Sequence, residues 1–199
     1  MHRPARLVLA SNNPGKLREL SALLAPLGIE LLAQSSLGVG EAEEPHVTFI
    51  ENALAKARHA SRASGLPALA DDSGLCVDAL DGGPGVRSAR LAGERASDEE
   101  NNRRLLDLLD GSEDRQAHYY CVLVLVRAPE DPQPLIAEGE WAGEILRAPR
   151  GAGGFGYDPL FWLPGLGCSS AELPAERKNE LSHRFRAASA LAQRLRRIG

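Results

Sequence analysis

The stretch Leu69-Ala70-Asp71-Asp72-Ser73-Gly74-Leu75 drives a short apolar run into two adjacent carboxylates. Acids side by side repel, which raises one pKa unless a cation sits between them or solvent screens them. At the C-terminal end of a strand, where α/β sheets commonly bind ligands, such a pair suits Mg²⁺; left in water, it is an Asp-Asp-Ser-Gly turn. A second polar stretch, Ser11-Asn12-Asn13-Pro14-Gly15-Lys16, feeds a helical pattern. Free backbone N–H groups, the positive end of a helix dipole and the Lys16 charge would suit a phosphate. It is not a Walker loop, because the first glycine is missing and Leu17 replaces the metal-binding hydroxyl. The alternative is an ordinary capped helix start with a surface lysine.

Other candidates are more ambiguous. Glu41, Glu43 and Glu44 form an acidic loop that is either solvated or supplies one acid to a metal site. Lys56 lies off the centre of an apolar helical stripe, so its position alone does not decide between solvent and the loop ends. Gly151-Ala152-Gly153-Gly154-Phe155-Gly156 satisfies G-x-G-x-x-G, yet Tyr157 to Pro164 continues as turn plus strand, which excludes a dinucleotide fingerprint. That loop either presents Phe155 as a stacking surface for a planar ligand or closes a hairpin over a buried Phe. His183 and Arg184 fall in the first turn of the last helix, against its dipole, a small cost that a bound anionic or hydrogen-bonding ligand would offset. Arg87 and Arg90, beside a Gly/Pro loop, are candidates for anion contacts.

The positioning elements follow from periodicity. Arg6–Ala10 and Ile29–Ala33 have strand length, and between them Leu17, Leu20, Leu23, Leu24 and Leu27 recur at helical spacing up to Gly28. Thr48 and Glu51 suggest a capping box before a helix with Phe49, Ile50, Ala53, Leu54, Ala57 and Ala60 on one side; Ser97 and Glu100 suggest another, before a helix through Leu109. His118–Val126 and Leu135–Leu146 predict long strands, neighbours across a turn at Pro129–Pro134. The last helix is expected to start at Ser182 and to pack Phe185, Ala188, Leu191, Leu195 and Ile198.

Composition narrows the class. The 199 residues, 43% hydrophobic, can bury a proper core, and a net charge of −4 argues against general nucleic-acid or membrane-surface binding. A polyanionic ligand must therefore meet a local cluster of cations. Cys76, Cys121 and Cys168 are widely spaced, with no zinc or redox pair, as expected of reduced cytoplasmic thiols. Leu7–Ala10 is too short for a signal segment, and no later run approaches a membrane span.

Taken in order, six motifs resemble the Ham1/RdgB family of inosine/xanthosine triphosphate pyrophosphatases, nearly end to end: Ser11–Lys16, Phe49–Ala53 with Lys56-Ala57-Arg58, Ala70–Leu75, Pro84–Arg90, Gly153–Pro159 and Ser182–Arg184. The resemblance implies a single α/β domain over residues 1–199, with an elongated central mixed β-sheet flanked by helices and two lobes around an active-site cleft. It also implies a cytoplasmic homodimer that acts on small-molecule nucleoside triphosphates, with no nucleic-acid or membrane partner. Non-standard purine nucleotides (ITP, dITP, XTP) would be hydrolysed to the monophosphate and pyrophosphate, with Mg²⁺ as cofactor. On that resemblance Ser11, Asn12, Asn13, Pro14, Gly15 and Lys16 would hold the triphosphate, with Lys56 assisting. Asp72 would bind metal and accept the proton of the attacking water, with Ser73 at the substrate. Glu44 would be the second metal carboxylate, although Glu43 adjoins it. Phe155, Gly156, Tyr157, Asp158, Lys178, His183 and Arg184 would form the base pocket.

Overall fold

The apolar runs expected to be strands pair into one sheet. The computed structural model describes residues 3–198, in the order β1 (Arg6–Leu9), α1 (Pro14–Leu24), β2 (Glu30–Ala33), α2 (Phe49–Ser64), β3 (Ala68–Val77), α3 (Asp98–Leu108), β4 (Gln116–Val126), β5 (Leu135–Ile145), β6 (Phe161–Leu163), β7 (Cys168–Ser169), α4 (Ala175–Leu181) and α5 (His183–Arg196). Among the described residues the sheet runs β2-β1-β3-β4-β5-β6-β7. β1 is parallel to β2 and β3, while β6 is antiparallel to β5 and β7, so the sheet is mixed, as expected.

The chain divides into two compact units. One comprises the residues up to Asp72, Cys121–Gly139 and the chain from Arg186; the other comprises Ser73–Tyr120 and Glu140–Phe185. Each has its own apolar core. In the first, Leu7 and Leu9 of β1, Leu20 and Leu24 of α1, Leu123 and Leu125 of β4, and Leu191 and Leu195 of α5 pack together. The second gathers Leu75, Val77, Leu105, Leu109, Trp141, Ile145, Leu160 and Phe161. Because alternate residues of a strand face opposite ways, the continuous burial of Cys121–Val126 means that this part of β4 is covered on both faces. Burial in β5 alternates from Ala137 to Gly143, leaving one face open there.

Three expectations about the helices need correction. Phe185 of α5 is 38% exposed and Ile198 is only half-buried, because Ala187, Ala188, Leu191, Ala192 and Leu195 supply the packed stripe. α2 likewise packs through small residues, Ala53, Ala57 and Ala60, leaving Ile50 exposed. Thr48 caps α2 by accepting from Glu51 N–H at 3.3 Å, but Glu51 receives the Thr48 hydroxyl at 2.6 Å, not the backbone N–H of a full capping box. The Ser97 and Glu100 box is complete.

The turn between β4 and β5 is organised by one buried acid. Asp131, 4% exposed, accepts from Arg127 N–H and Gln133 N–H, each at 2.9 Å, and ion-pairs with the Arg127 guanidinium. That hydrogen-bonded pair holds the Asp131 carboxyl far below its ordinary 3.8 despite the opposing effect of desolvation. A carboxyl with a depressed folded-state pKa stabilises the fold above its unfolded value and loses that contribution as pH falls through the folded one. Asp131→Asn should therefore lower the unfolding free energy by about 2 kcal/mol. Urea denaturation of both proteins should show a constant deficit from pH 7 to pH 5, narrowing progressively as pH falls from the unfolded value towards the folded one. A deficit that disappears above pH 5 would contradict this account.

Candidate active site

In the first unit, four elements bring two lysines to three carboxylates. β3 does not stop at the acids, as the sequence suggested, but continues through them to Val77, with Asp71 1% and Asp72 9% exposed. Successive strand residues point to opposite faces, so the adjacent aspartates take separate partners. Asp71 ion-pairs with Lys16 of α1 at 2.8 Å. Asp72 lies 3.6 Å from Nζ of Lys56 on α2, and that ammonium bonds Glu44 at 2.5 Å. The structure thus joins Glu44, and not the exposed Glu43, to Lys56. Lys56 itself leaves the apolar stripe to reach the acids.

The electrostatics follow from these neighbours. Burial pushes the Asp72 carboxyl up; Lys56 and a hydrogen bond from Asn52 pull it down, Glu44 adds to the rise, and Asp71 contributes least. The expected mutual repulsion of the aspartates is therefore a minor influence, because strand alternation separates them. Burial alone would lower the Lys56 pKa, but Asp72, Glu44 and Asp71 outweigh it and hold the ammonium above its usual value. The balance leaves the Asp72 carboxyl above its ordinary 3.8, burial outweighing Lys56, while the Lys56 ammonium is favoured.

The Ser11–Lys16 loop takes the second of its two readings, a capped helix start. Its backbone N–H groups are not free: the Asn13 side chain caps α1, accepting from Gly15 N–H at 2.8 Å and Lys16 N–H at 3.2 Å. Ser11 Oγ takes Asn13 N–H, and Asn12 donates to Glu41 at 3.0 Å. Pro14 opens the helix, where its missing N–H costs nothing. Anion binding at this loop thus falls to the Lys16 ammonium and to groups the Asn13 cap would have to release.

Metal-binding capacity rests on donor type. Among the described residues, no group of three or more His, Cys, Asp or Glu could hold a metal ion. Glu44 and Asp72, both within reach of one ammonium, are instead a pair of hard oxygen donors already drawing in a cation. Mg²⁺ characteristically takes one or two carboxylates and completes its shell with water and phosphate oxygens, so this pair fits it.

In the second unit the glycine-rich loop is held from below and open above. Asp158, 1% exposed, accepts from Phe155 N–H at 2.8 Å and from Ser170 Oγ at 2.9 Å, and ion-pairs with Lys178 of α4. Gly156 N–H donates to Asp98 at 2.6 Å, and Gly156 C=O accepts from Asn102 at 2.8 Å. Tyr157 is buried and donates its hydroxyl to Ser88 C=O at 2.7 Å. With its backbone fixed, Phe155 remains 65% exposed, and the Lys178 ammonium lies 4.4 Å from the ring centroid. The loop therefore presents Phe155; it does not bury it. His183, at the start of α5, stacks on Tyr119 at 4.9 Å and 13°, and Phe185 N–H reaches Ser182 Oγ at 3.2 Å, as the expected cap requires. Arg184 and Ser73 are half-buried. Arg90 pairs with Glu94, and Arg87 is exposed.

Two site features escaped sequence reasoning. Asn52 reads as one more polar residue on α2, although the lysine four residues after it, on the same helical face, was an available signal. α4, which carries Lys178, is announced only by Pro174 before a short run of helix formers.

Two glycines of this loop test its packing. Gly154 and Gly156 both have positive φ, 77° and 60°, but a Cβ on Gly154 would sit 2.0 Å from Asp158 Oδ2, whereas one on Gly156 would meet open space. Gly156→Ala should cost about 1–2 kcal/mol in unfolding free energy, the left-handed strain alone. Gly154→Ala should cost more; equal denaturation midpoints for the two variants would refute the clash.

The profile of the Ham1 family matches residues 7–194. The chain is 65% identical over 190 residues to the dITP/XTP pyrophosphatase of Nitrosomonas europaea, across 96% of this chain and 94% of that protein. It is 64% identical over 194 residues to the dITP/XTP pyrophosphatase of Ralstonia nicotianae, across 96% of each. Among solved structures, a HAM1 protein from Coxiella burnetii superposes with a TM-score of 0.94 at 46% identity, covering 96% of this chain and 98% of that one. The Ham1 protein of Staphylococcus aureus gives 0.90 at 38% identity, covering 98% and 100%. With near-complete coverage in sequence and in fold, this chain belongs to the Ham1 family.

Proposed function

We propose that this chain is a nucleoside triphosphate pyrophosphatase that hydrolyses ITP, dITP and XTP to the monophosphate and pyrophosphate. The observation that carries this reading is the cluster Lys16, Asp71, Glu44, Lys56 and Asp72: half-buried ammoniums for phosphate oxygens beside a carboxylate for water. The names of the Nitrosomonas and Ralstonia relatives support the substrate class. The reading extends to Mg²⁺ dependence, and on the resemblance to a homodimer working in the cytoplasm. Among the described residues no helix is long and apolar enough to cross a membrane.

Hydrolysis forms a bond from the water oxygen to the α-phosphorus and breaks the bond from that phosphorus to the α–β bridging oxygen, which departs with pyrophosphate. Positioning and charge stabilisation supply most of the catalysis in such transfers. Asp72 orients the water and accepts its proton at a carboxylate oxygen. Lys16 and Lys56 exchange part of their carboxylate contacts for phosphate oxygens. Mg²⁺, held by Asp72 and Glu44, would neutralise phosphate charge and make the water more acidic.

Base selection falls, on the resemblance, to Phe155, Lys178, His183 and Arg184. Phe155 offers a stacking surface, while His183 and Arg184 supply donors for the 6-oxo acceptor of hypoxanthine and xanthine. Adenine presents an amino donor there, and a buried mismatch of that kind discriminates by roughly 10⁴ in the best cases.

Purified protein with Mg²⁺ should release pyrophosphate from ITP, dITP and XTP well ahead of ATP and GTP. Orthophosphate as product, or equal rates across the panel, would overturn the proposal. Asp72→Asn should lower kcat by about 10²–10⁴-fold while keeping the wild-type melting temperature within a few degrees. His183→Ala should shrink the ITP-to-ATP ratio of kcat/KM more than it weakens pyrophosphate inhibition; an unchanged ratio would remove His183 from base selection.

A further inference from the structure

Asn52 is fully buried in α2, where an amide has to place all of its hydrogen-bonding groups. Its Oδ1 accepts from His46 N–H at 3.0 Å and its Nδ2 donates to His46 C=O at 3.2 Å. The same side chain also hydrogen-bonds the Asp72 carboxylate. An amide nitrogen carries two protons, so one serves His46 and the other Asp72.

These partners belong to two segments that the chemistry needs in register. Glu44 stands two residues before His46, separated by Pro45, whose ring restricts the backbone between them. The stretch Gly38–His46 has no helix or strand of its own to hold it. Asp72 lies on β3, and Lys56, one helical turn beyond Asn52, contacts both Glu44 and Asp72. Lys56 hydrogen-bonds Glu44 but holds Asp72, 3.6 Å away, by charge alone, which leaves the direction of that carboxylate loose. Asn52 adds directional bonds to both sides.

We propose that Asn52 is a positioning residue: by clamping the His46 peptide and the Asp72 carboxylate with one amide, it sets the separation of Glu44 and Asp72 that a divalent cation has to bridge. The inference rests on the preceding functional reading. A residue that only filled space in α2 would affect stability and leave metal affinity and turnover alone. A positioning residue moves metal affinity and kcat while the nucleotide, gripped mainly through Lys16 and the base pocket, keeps its KM.

The test compares wild type with Asn52→Ala and Asn52→Ser, the serine retaining a shorter hydroxyl donor. Four quantities are read: Mn²⁺ affinity of the nucleotide-free protein by paramagnetic resonance, the Mg²⁺ concentration giving half-maximal ITP hydrolysis, and the separate kcat and KM for ITP. In Asn52→Ala, metal affinity and kcat should each fall about 10- to 100-fold, with KM within threefold. Asn52→Ser should recover part of both, and it is judged against wild type by the same criteria if the alanine variant does not fold. A folded variant with metal affinity and kcat within twofold of wild type overturns the proposal, as does a loss confined to melting temperature. Wild type that binds Mn²⁺ but releases no pyrophosphate would overturn the functional reading instead, and the Mn²⁺ titration would still decide the role of Asn52.

Discussion

Two adjacent aspartates survive in the middle of a buried strand because each has its own ammonium, delivered from a different helix. An unpaired carboxylate taken out of water costs several kcal/mol, and breaking such a pair by removing one partner leaves that cost uncompensated. Asp71 with Lys16 and Asp72 with Lys56 meet this constraint through strand alternation. Much of the first unit follows from it. α1 has to begin where Lys16 can reach Asp71, and α2 has to lie close enough for Lys56 to reach Asp72. The second requirement accounts for the Ala53, Ala57 and Ala60 stripe, since small side chains let a helix approach closely.

The second unit solves a different problem, that of holding an irregular loop still while leaving an aromatic ring in solvent. Here the buried acid is Asp158, and its bonds go to a peptide N–H, a serine hydroxyl and the Lys178 ammonium. Asp98 and Asn102, from the first turns of α3, hold Gly156 through its N–H and its C=O, one in each of the peptides flanking it. A loop so pinned loses little further entropy when a planar ligand stacks on Phe155, so more of the stacking energy remains for affinity. Tyr119 gives the His183 imidazole a comparable platform.

Local patterns made much of this legible in sequence. The strand β1, the helix starts at Thr48 and Ser97, the turn at Pro129–Pro134 and the absence of a helix after Gly156 follow from spacing and turn chemistry. What failed did so where long-range pairing overrides local preference. Asp-Asp-Ser-Gly has the composition of a turn, yet two lysines, 55 and 16 residues earlier, carry it through as strand. Of the two readings of Ser11–Lys16, the structure takes the capped helix start, with Asn13 as cap, but Lys16 is drawn off the surface to Asp71. Phe185 is large and correctly spaced, but the buried stripe of α5 runs through Ala187, Ala188, Leu191, Ala192 and Leu195, and Phe185 lies off it. Asn52 shows the limit: its three bonds involve residues 6 and 20 positions away, and helical periodicity records none of them.

The charge arithmetic of the first cluster has a kinetic consequence. Lys16 and Lys56 together face Asp71, Asp72 and Glu44, two positive groups against three negative, on a chain that is itself acidic. Such a patch casts no attractive field over a Debye length, so it does not steer a polyanion in from solution. The field of these five groups opposes the encounter, and added salt weakens that opposition. The attraction begins only at contact, once acids and ammoniums trade partners.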